Sequence, residues 1–265
     1  MLSEDLFRSL MDEVHPWLSN LTLYFQGEPF LHPSFEDLVK EAHRRNVFTG
    51  TSTNAHYLTP ERSRRVVESG LSRIIISIDG TTQDVYEQYR KGGKLDKVLE
   101  GTRNLLAARK DARSLSPFIT FQFLVVRPNQ HQISEVLKLG RRLGVDDVVF
   151  KSAQIYDHQH GSPLMPDEPQ WSRYKRQSDG TYAIRNLWED HCWRMWSGSV
   201  VTWDGRVIPC CFDKDAQVVL GSAGQRSFRE IWNSPEYHRF RETIFSARKS
   251  VDMCRNCTEG LQTAG

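Results

Sequence analysis

The sequence predicts an α/β chain in which a parallel β/α region is followed by a small cysteine-rich α+β tail. Three observations carry this. From Leu21 to Lys151, short apolar and β-branched runs alternate with amphipathic stretches, the pattern of repeated βα units. From Ala153 to Glu189 the periodicity stops in a segment rich in Pro, Gly, Ser and charge, which reads as a linker or substrate-facing loop. All five cysteines, Cys192, Cys210, Cys211, Cys254 and Cys257, lie beyond it.

Taken in order, SEDLFRSLMDEV has helical periodicity, LTLYF is the first strand and PSFEDLVKEAHRRN the helix after it. VFTGTST, TPERSRRVVESG and SRIIISI repeat strand, helix and strand. Two helical segments around DVYEQYR and LDKVLEGTRNLLAARK lead to the strand FITFQFLVV, the helix ISEVLKLGRRLG and the strand DDVVFK. Ser34 is placed to cap the first of the crossover helices after Pro33. Thr59 with Pro60 opens the next, and Gly70 and Gly144 stop two others. Five strands in one parallel series fit a doubly wound sheet or a barrel, and in either one ligands gather at the C-terminal ends of the strands. QGEP, TSTN and SIDG follow three consecutive strands, so small and hydrogen-bonding residues reach one rim.

The tail adds SGSVVTWDGRVIPCC, predicted as a hairpin turning at Asp204 and Gly205 in a type I′ turn. After it come two helices around Pro235, then the CxxC of Cys254 and Cys257. Two thiolates in a CxxC grip one metal centre, and Cys192 with Cys210 completes a set of four suited to zinc or to an iron-sulfur cluster. Cys210 follows Pro209 and is the ligand candidate of the adjacent pair, with Cys211 as the spare thiol, although either one has the chemistry. Asp213 is a weak candidate for an acid or base, and an exposed turn carboxylate is the simpler expectation. His158 and His160, in a polar loop, are expected to be solvated. The tail tryptophans, Trp188, Trp193, Trp196, Trp203 and Trp232, are expected to pack a small core.

The chain has 265 residues, 38% of them hydrophobic and 26% charged, with a formal net charge of +2. That is enough chain for a sizeable core and too little positive charge for a nucleic-acid partner. The N-terminal stretch is acidic where a secretion signal is basic. No run approaches the roughly 18 apolar residues that cross a bilayer. The expected location is the cytoplasm, where an odd cysteine count points to metal and not to disulfides.

With these residues in view, the chain resembles radical S-adenosylmethionine (radical SAM) proteins. YFQGEPFLHP is similar to the family's GGEP region, with Gln26 in place of the first glycine. TSTN, SIDG and Arg90 fall where that family handles the same cofactor, and WDGRVIPCC, LGS, SFREIWNSPEY and CRNC resemble a SPASM domain in order. The resemblance implies a partial β/α barrel of the TIM-like radical SAM type over residues 1–152, a linker over 153–189 and an iron-sulfur domain over 190–265. It also implies that Gly27, Glu28 and Pro29 receive the methionine amino group, and that Ser77 and Arg90 contact the ribose and the carboxylate end. Thr53 and Asn54 are weaker rim candidates, while Asp79 stabilises its own turn. Cys192, Cys210, Cys254 and Cys257 hold one auxiliary [4Fe-4S] cluster, with zinc as the alternative.

The departure is that no cysteine precedes Cys192. The CxxxCxxC that holds the initiating [4Fe-4S] cluster is therefore not encoded here, as though the first strand and its cluster loop were missing. The implied function is 5′-deoxyadenosyl radical chemistry, an oxidoreductase activity served by an electron donor and directed at a peptide or protein. The alternative is a non-catalytic binding protein with a structural four-cysteine metal site. Replacing Cys254 or Cys257 by Ala is expected to abolish tail metal and destabilise that domain, because metal binding there is folding energy. Metal at full occupancy in both variants, by elemental analysis, would overturn the ligand assignment.

Overall fold

The structure, a computed structural model, describes residues 1–185 and 190–257. Trp188 and the end of the 153–189 segment lie outside the described residues. Contacts divide the chain into two compact units, Ser19–Ala183 and a second made of Met1–Leu18 with Ile184–Gly265.

The larger unit contains β1 (Asn20–Thr22), α2 (Phe35–Arg44), β2 (Phe48–Thr53), α3 (Pro60–Glu68), β3 (Arg73–Ser77), α4 (Gln83–Tyr89), α5 (Leu95–Asp111), β4 (Phe118–Val125), α6 (Ile133–Leu143) and β5 (Asp147–Ser152). The five strands form one sheet in the order β1-β2-β3-β4-β5, with every pair parallel. The alternating pattern predicts this parallel series, and it is the partial β/α barrel that the family resemblance implies. LTLYF contributes less strand than expected, because β1 is a three-residue edge, and the short edge limits the unpaired backbone it exposes.

In β3 and β4, Ile74, Ile76, Ile119, Phe121 and Phe123 are fully buried and join Val39, Val66, Leu105 and Val136 from the helices in one core. The Thr59 hydroxyl accepts from Arg62 N, with Pro60 at the first helical position. Gly144 ends α6 in the left-handed region at φ +85°. Ser34 occupies its predicted N-cap position, but its side chain makes no capping hydrogen bond. Its φ of −103° and ψ of 23° depart from the extended geometry that a capping hydroxyl requires.

The segment beyond β5 is not structureless. It holds β6 (Tyr174–Arg176) and β7 (Tyr182–Ile184), which pair as a two-stranded sheet. Its Met165 and Tyr174 are buried, and Arg127 donates from its backbone N to the Leu164 carbonyl (3.1 Å) and from Nε to that of Met165 (3.0 Å). His160 is exposed beside Asp157, whereas His158 stacks on Tyr174 at 4.7 Å.

The second unit joins α1 (Glu4–Val14) to α7 (Arg194–Ser197), β8 (Val200–Val201), β9 (Arg206–Ile208), β10 (Gly221–Ser222), α8 (Phe228–Trp232), α9 (Pro235–Ala247) and α10 (Asp252–Arg255). Helix α1, which the sequence attaches to the barrel, packs instead with the tail. The Glu13 carboxylate accepts from Phe228 N (2.8 Å) and Arg229 N (2.6 Å), satisfying the free donors at the start of α8. Val207, Leu220, Ile231 and Tyr237 form the small core, and Gly221 lies so close to Ile231 that a Cβ would come within 2.7 Å of it.

The hairpin forms as predicted, but its turn differs. Thr202 N donates to Arg206 O (2.9 Å), which closes a three-residue loop. Only Gly205 has a positive φ (+84°), with Asp204 in ordinary space. A type I′ turn needs a positive φ at both central positions; this is the longer loop with glycine in the left-handed position. The Asp204 carboxylate instead accepts from the Thr202 hydroxyl (2.5 Å) and Arg206 Nε (2.9 Å), which holds it outside that geometry.

Within α5, Gly101 lets the helix approach the loop after β2. A Cβ there would lie 2.2 Å from the Ala55 carbonyl oxygen. Gly101→Ala is therefore expected to destabilise the protein by about 1–3 kcal/mol despite the better helix propensity of alanine. Urea unfolding checks this, and an unchanged or raised midpoint would contradict it.

Candidate cofactor site at the strand ends and a four-cysteine site in the tail

The rim is built around Glu28. Gly27 turns the chain at φ +81°, where nothing lies within 4 Å of a Cβ, so backbone conformation and not space favours glycine there. Glu28 follows, and Pro29 starts a short 3₁₀ turn. The Glu28 carboxylate accepts from Phe30 N (3.2 Å) and the Thr53 hydroxyl (2.7 Å) through Oε1, and from Asn54 N (2.8 Å) through Oε2. Five of the predicted rim residues, Gly27, Glu28, Pro29, Thr53 and Asn54, thus meet at one point. The Thr51 hydroxyl adds a bond to Leu23 O (3.1 Å).

Ser77 is the last residue of β3, the strand beside β2, and is 7% exposed. Arg90 ends α4 with its Nε on Asp79 Oδ2 at 2.5 Å. Asp79 does more than hold its own turn: Oδ1 accepts from Leu124 N (2.7 Å), and its carbonyl accepts from the Asn129 side chain (3.0 Å). It therefore ties the end of β3 to the end of β4. Burial pushes the Asp79 carboxyl above its usual range, against the pull of Arg90 and of the Leu124 N–H. Burial works against the Arg90 charge, but the attraction and hydrogen bond of Asp79, with Tyr86 and Tyr89, carry its pKa upward.

The sequence reading missed His56 and Asn129. His56 Nδ1 lies 2.9 Å from Asn54 O, and its Nε2 accepts from Lys94 N (3.1 Å), so the ring fastens the Asn54 loop. Asn129 also donates to Leu124 O and accepts from Val126 N. Neither lies in a spacing that marks such a role. Beside the rim, a cavity of about 390 Å³ lies among Phe30, Leu31, Pro33, Tyr57 and Arg65. Its wall is braced by Arg62 and Arg65 on the buried Glu36.

In the tail, Cys257 is buried, Cys192, Cys210 and Cys254 are partly buried, and Cys211 is exposed. Cys257 N donates to Cys254 O (3.1 Å), closing the CxxC turn. Burial pushes the Cys210 thiol up to about 12, with the charges of Cys211, Cys254 and Cys257 adding to it. Burial also pushes Cys254 up to about 11, with Cys257 and Cys192 adding and Arg248 opposing. As placed, no three Cys, His, Asp or Glu side chains among the described residues converge on a single ion. As a donor set, four soft thiols fit an iron-sulfur cluster or another thiophilic centre. By contrast, no residue from 1 to 191 is a cysteine, so nothing in that stretch fits an initiating cluster.

Asp213 is not an exposed turn residue. It is 4% exposed, with its carboxylate accepting from Gln217 N (2.9 Å) and Val218 N (2.8 Å). It organises the loop after the cysteine pair because a buried carboxylate must find donors. Arg241, also missed, is buried with its guanidinium against Tyr237 (4.0 Å), Trp232 (4.4 Å) and Trp196 (4.6 Å), and donates to Met195 O and Trp232 O.

A parallel β/α rim built round an anchored carboxylate, together with a tail that carries all five cysteines, defines a two-part α/β protein. Residues 1–148 match the Radical SAM superfamily and residues 192–258 match SPASM, an iron-sulfur cluster-binding domain, so the chain belongs to the radical SAM superfamily and carries a C-terminal SPASM domain. It is 26% identical over 287 residues to the tungsten-containing aldehyde ferredoxin oxidoreductase cofactor-modifying protein of Pyrococcus furiosus, covering 96% of this chain and 78% of that one. It is 28% identical to the PqqA peptide cyclase of Gluconobacter oxydans, covering 91% of this chain and 70% of that one. Among solved structures, anSMEcpe with bound AdoMet superposes with a TM-score of 0.67 at 16% identity, covering 97% of this chain and 76% of that one. Streptococcus suis SuiB bound to the precursor peptide SuiA superposes with a TM-score of 0.66 at 12% identity, covering 99% of this chain and 65% of that one. At these identities the structures share the fold.

The raised thiol pKa values have a direct readout. In metal-free protein near pH 8, iodoacetamide is expected to label the exposed Cys211 first and Cys210 and Cys254 slowly. Labelling of the latter two should accelerate only as the pH climbs towards 11 and 12. Because folding raises these pKa values above their usual 9.0, the thiols' contribution to stability is present below pH 9 and is lost as the pH rises through the folded values. Mass mapping that finds Cys210 labelled as fast as Cys211 at pH 8 would contradict this.

Proposed function

We propose that the chain binds S-adenosylmethionine at the strand-end rim and one auxiliary [4Fe-4S] cluster through Cys192, Cys210, Cys254 and Cys257. On this reading it serves the modification of a peptide or protein. The observation that carries the reading is Glu28. A carboxylate offers about four acceptor positions, and Phe30, Thr53 and Asn54 use three. The fourth is left for an ammonium such as the amino group of the methionine moiety, beside a carboxylate already aimed by strand-end donors. Arg90, with only its Nε committed to Asp79, has a guanidinium edge suited to the cofactor's carboxylate end. Ser77 is suited to the ribose.

When reductively cleaved, S-adenosylmethionine supplies a 5′-deoxyadenosyl radical that abstracts hydrogen from a substrate. The residues of this chain bind and orient; because residues 1–191 hold no cysteine, no cleavage step is assigned to them. A peptide or protein substrate is supported by the likeness to a PqqA peptide cyclase and to SuiB bound to its precursor peptide. An electron donor and a cytoplasmic setting belong to the same reading; no helix among the described residues is long and apolar enough to cross a membrane. Four thiolates suit a cluster, with zinc as the alternative occupant. The alternative reading is a binding protein with a structural four-cysteine metal site.

Isothermal titration with S-adenosylmethionine is expected to show binding that weakens about ten-fold or more in Glu28→Gln and in Arg90→Ala, the loss from one charged hydrogen bond. Wild-type protein that does not bind, or unchanged affinity in both variants, would overturn the rim assignment. Iron and sulfide analysis after anaerobic reconstitution tests the tail: about four of each per chain is expected, and one zinc without iron would favour the second reading.

A further inference from the structure

The cysteine site has a cationic neighbour that lies in none of its motifs. Arg248, just beyond α9, is 4% exposed. Its backbone N–H donates to the Asp190 carboxylate (2.9 Å) and its guanidinium donates to the His191 carbonyl (2.8 Å), the two residues immediately before Cys192. Its backbone carbonyl accepts from Val251 N (3.1 Å), and the Val251 carbonyl accepts from Cys254 N (3.0 Å), so the same residue leads directly into the turn that carries Cys254. One residue thus joins two stretches of chain that are remote in sequence and that each carry a candidate ligand, its guanidinium on one and its backbone on the other.

The residue type matters. Arginine presents five donors in a rigid plane, so it can hold a backbone carbonyl and keep further donors directed at a neighbouring site; lysine offers a point charge on a flexible stem. Charge matters too. Metal binding requires the cysteines as thiolates, so a loaded site is anionic and a buried cation at its edge is well matched. One-electron reduction of a cluster adds a further negative charge. Hydrogen bonds to the cluster sulfurs and net local charge are among the determinants of its potential, and a donor that is itself a cation stabilises the reduced form through both.

We propose that Arg248 is a positioning residue for the four-cysteine site, fixing Cys254 relative to Cys192 and raising the reduction potential of the cluster they help to hold. This rests on the reading of the four cysteines as cluster ligands. It assigns no contact with substrate to Arg248.

The test uses the whole chain reconstituted without oxygen as wild type, Arg248→Gln and Arg248→Lys. Iron and sulfide are measured first, and each cluster is then titrated with dithionite and followed by electron paramagnetic resonance. Full iron in all three is expected. The midpoint should be more negative in the Gln variant, and the Lys variant, which keeps the charge and loses the fork, should lie between it and wild type. A Gln variant with full iron and a wild-type midpoint overturns the proposal. If the Gln variant takes up no iron, the Lys variant decides: a lowered midpoint sustains the proposal and a wild-type midpoint overturns it. Zinc without iron in the wild type removes the cluster reading itself and this inference with it, an outcome separable from a cluster that ignores Arg248.

Discussion

The geometry of the rim depends on one carboxylate. Glu28 sits in the loop after an edge strand only three residues long, and the sheet alone would leave that loop loosely placed. By accepting from the Thr53 hydroxyl and Asn54 N, it fastens the end of β1 to the end of β2 through side-chain chemistry where backbone pairing has run out. Asp79 repeats the device one strand further on, bonding Leu124 N and Arg90. A parallel sheet aligns its strand ends by construction. Here each successive end is also tied to the next by a carboxylate, so the positions of Gly27, Ser77 and Arg90 follow from the same bonds that hold the loops.

Much of this was legible in the sequence because the signals were strong and local. The apolar, β-branched runs SRIIISI and FITFQFLVV, threonine followed by proline at the start of α3, and glycine at the end of α6 are such signals, and the structure follows them. The failures were of two kinds. Ser34 and the Asp204-Gly205 turn are cases where composition permits a motif that local geometry does not adopt. Asp213 was placed by its neighbours in the sequence as a surface residue, although the fold buries it and gives it two backbone donors.

The site was legible where it lies in contiguous motifs and illegible where it is assembled from afar. QGEP and TSTN name their own residues, and the cysteines advertise themselves. His56, Asn129, Arg241 and Arg248 act through partners 38, 50, 46 and 57 positions away, and a histidine, asparagine or arginine in an ordinary polar context carries no mark of that. The choice between Cys210 and Cys211 has the same character. Adjacent residues are equivalent in chemistry, and only the fold makes Cys210 partly buried and leaves Cys211 exposed.

The bond from Glu13 to the start of α8 bears on how the chain comes to be folded. Its two ends are separated by 215 positions, and all of the β/α unit lies between them. During synthesis α1 emerges before the β/α unit, yet the surface it covers is made only after that unit. The intervening unit, whose strands pair with their sequence neighbours, is complete long before. Helix α1 must therefore wait with Phe7 and Met11 uncovered, and the late closure of so long a loop makes the tail the slow step of assembly. A chaperone that shields apolar helices would find its opportunity in that interval.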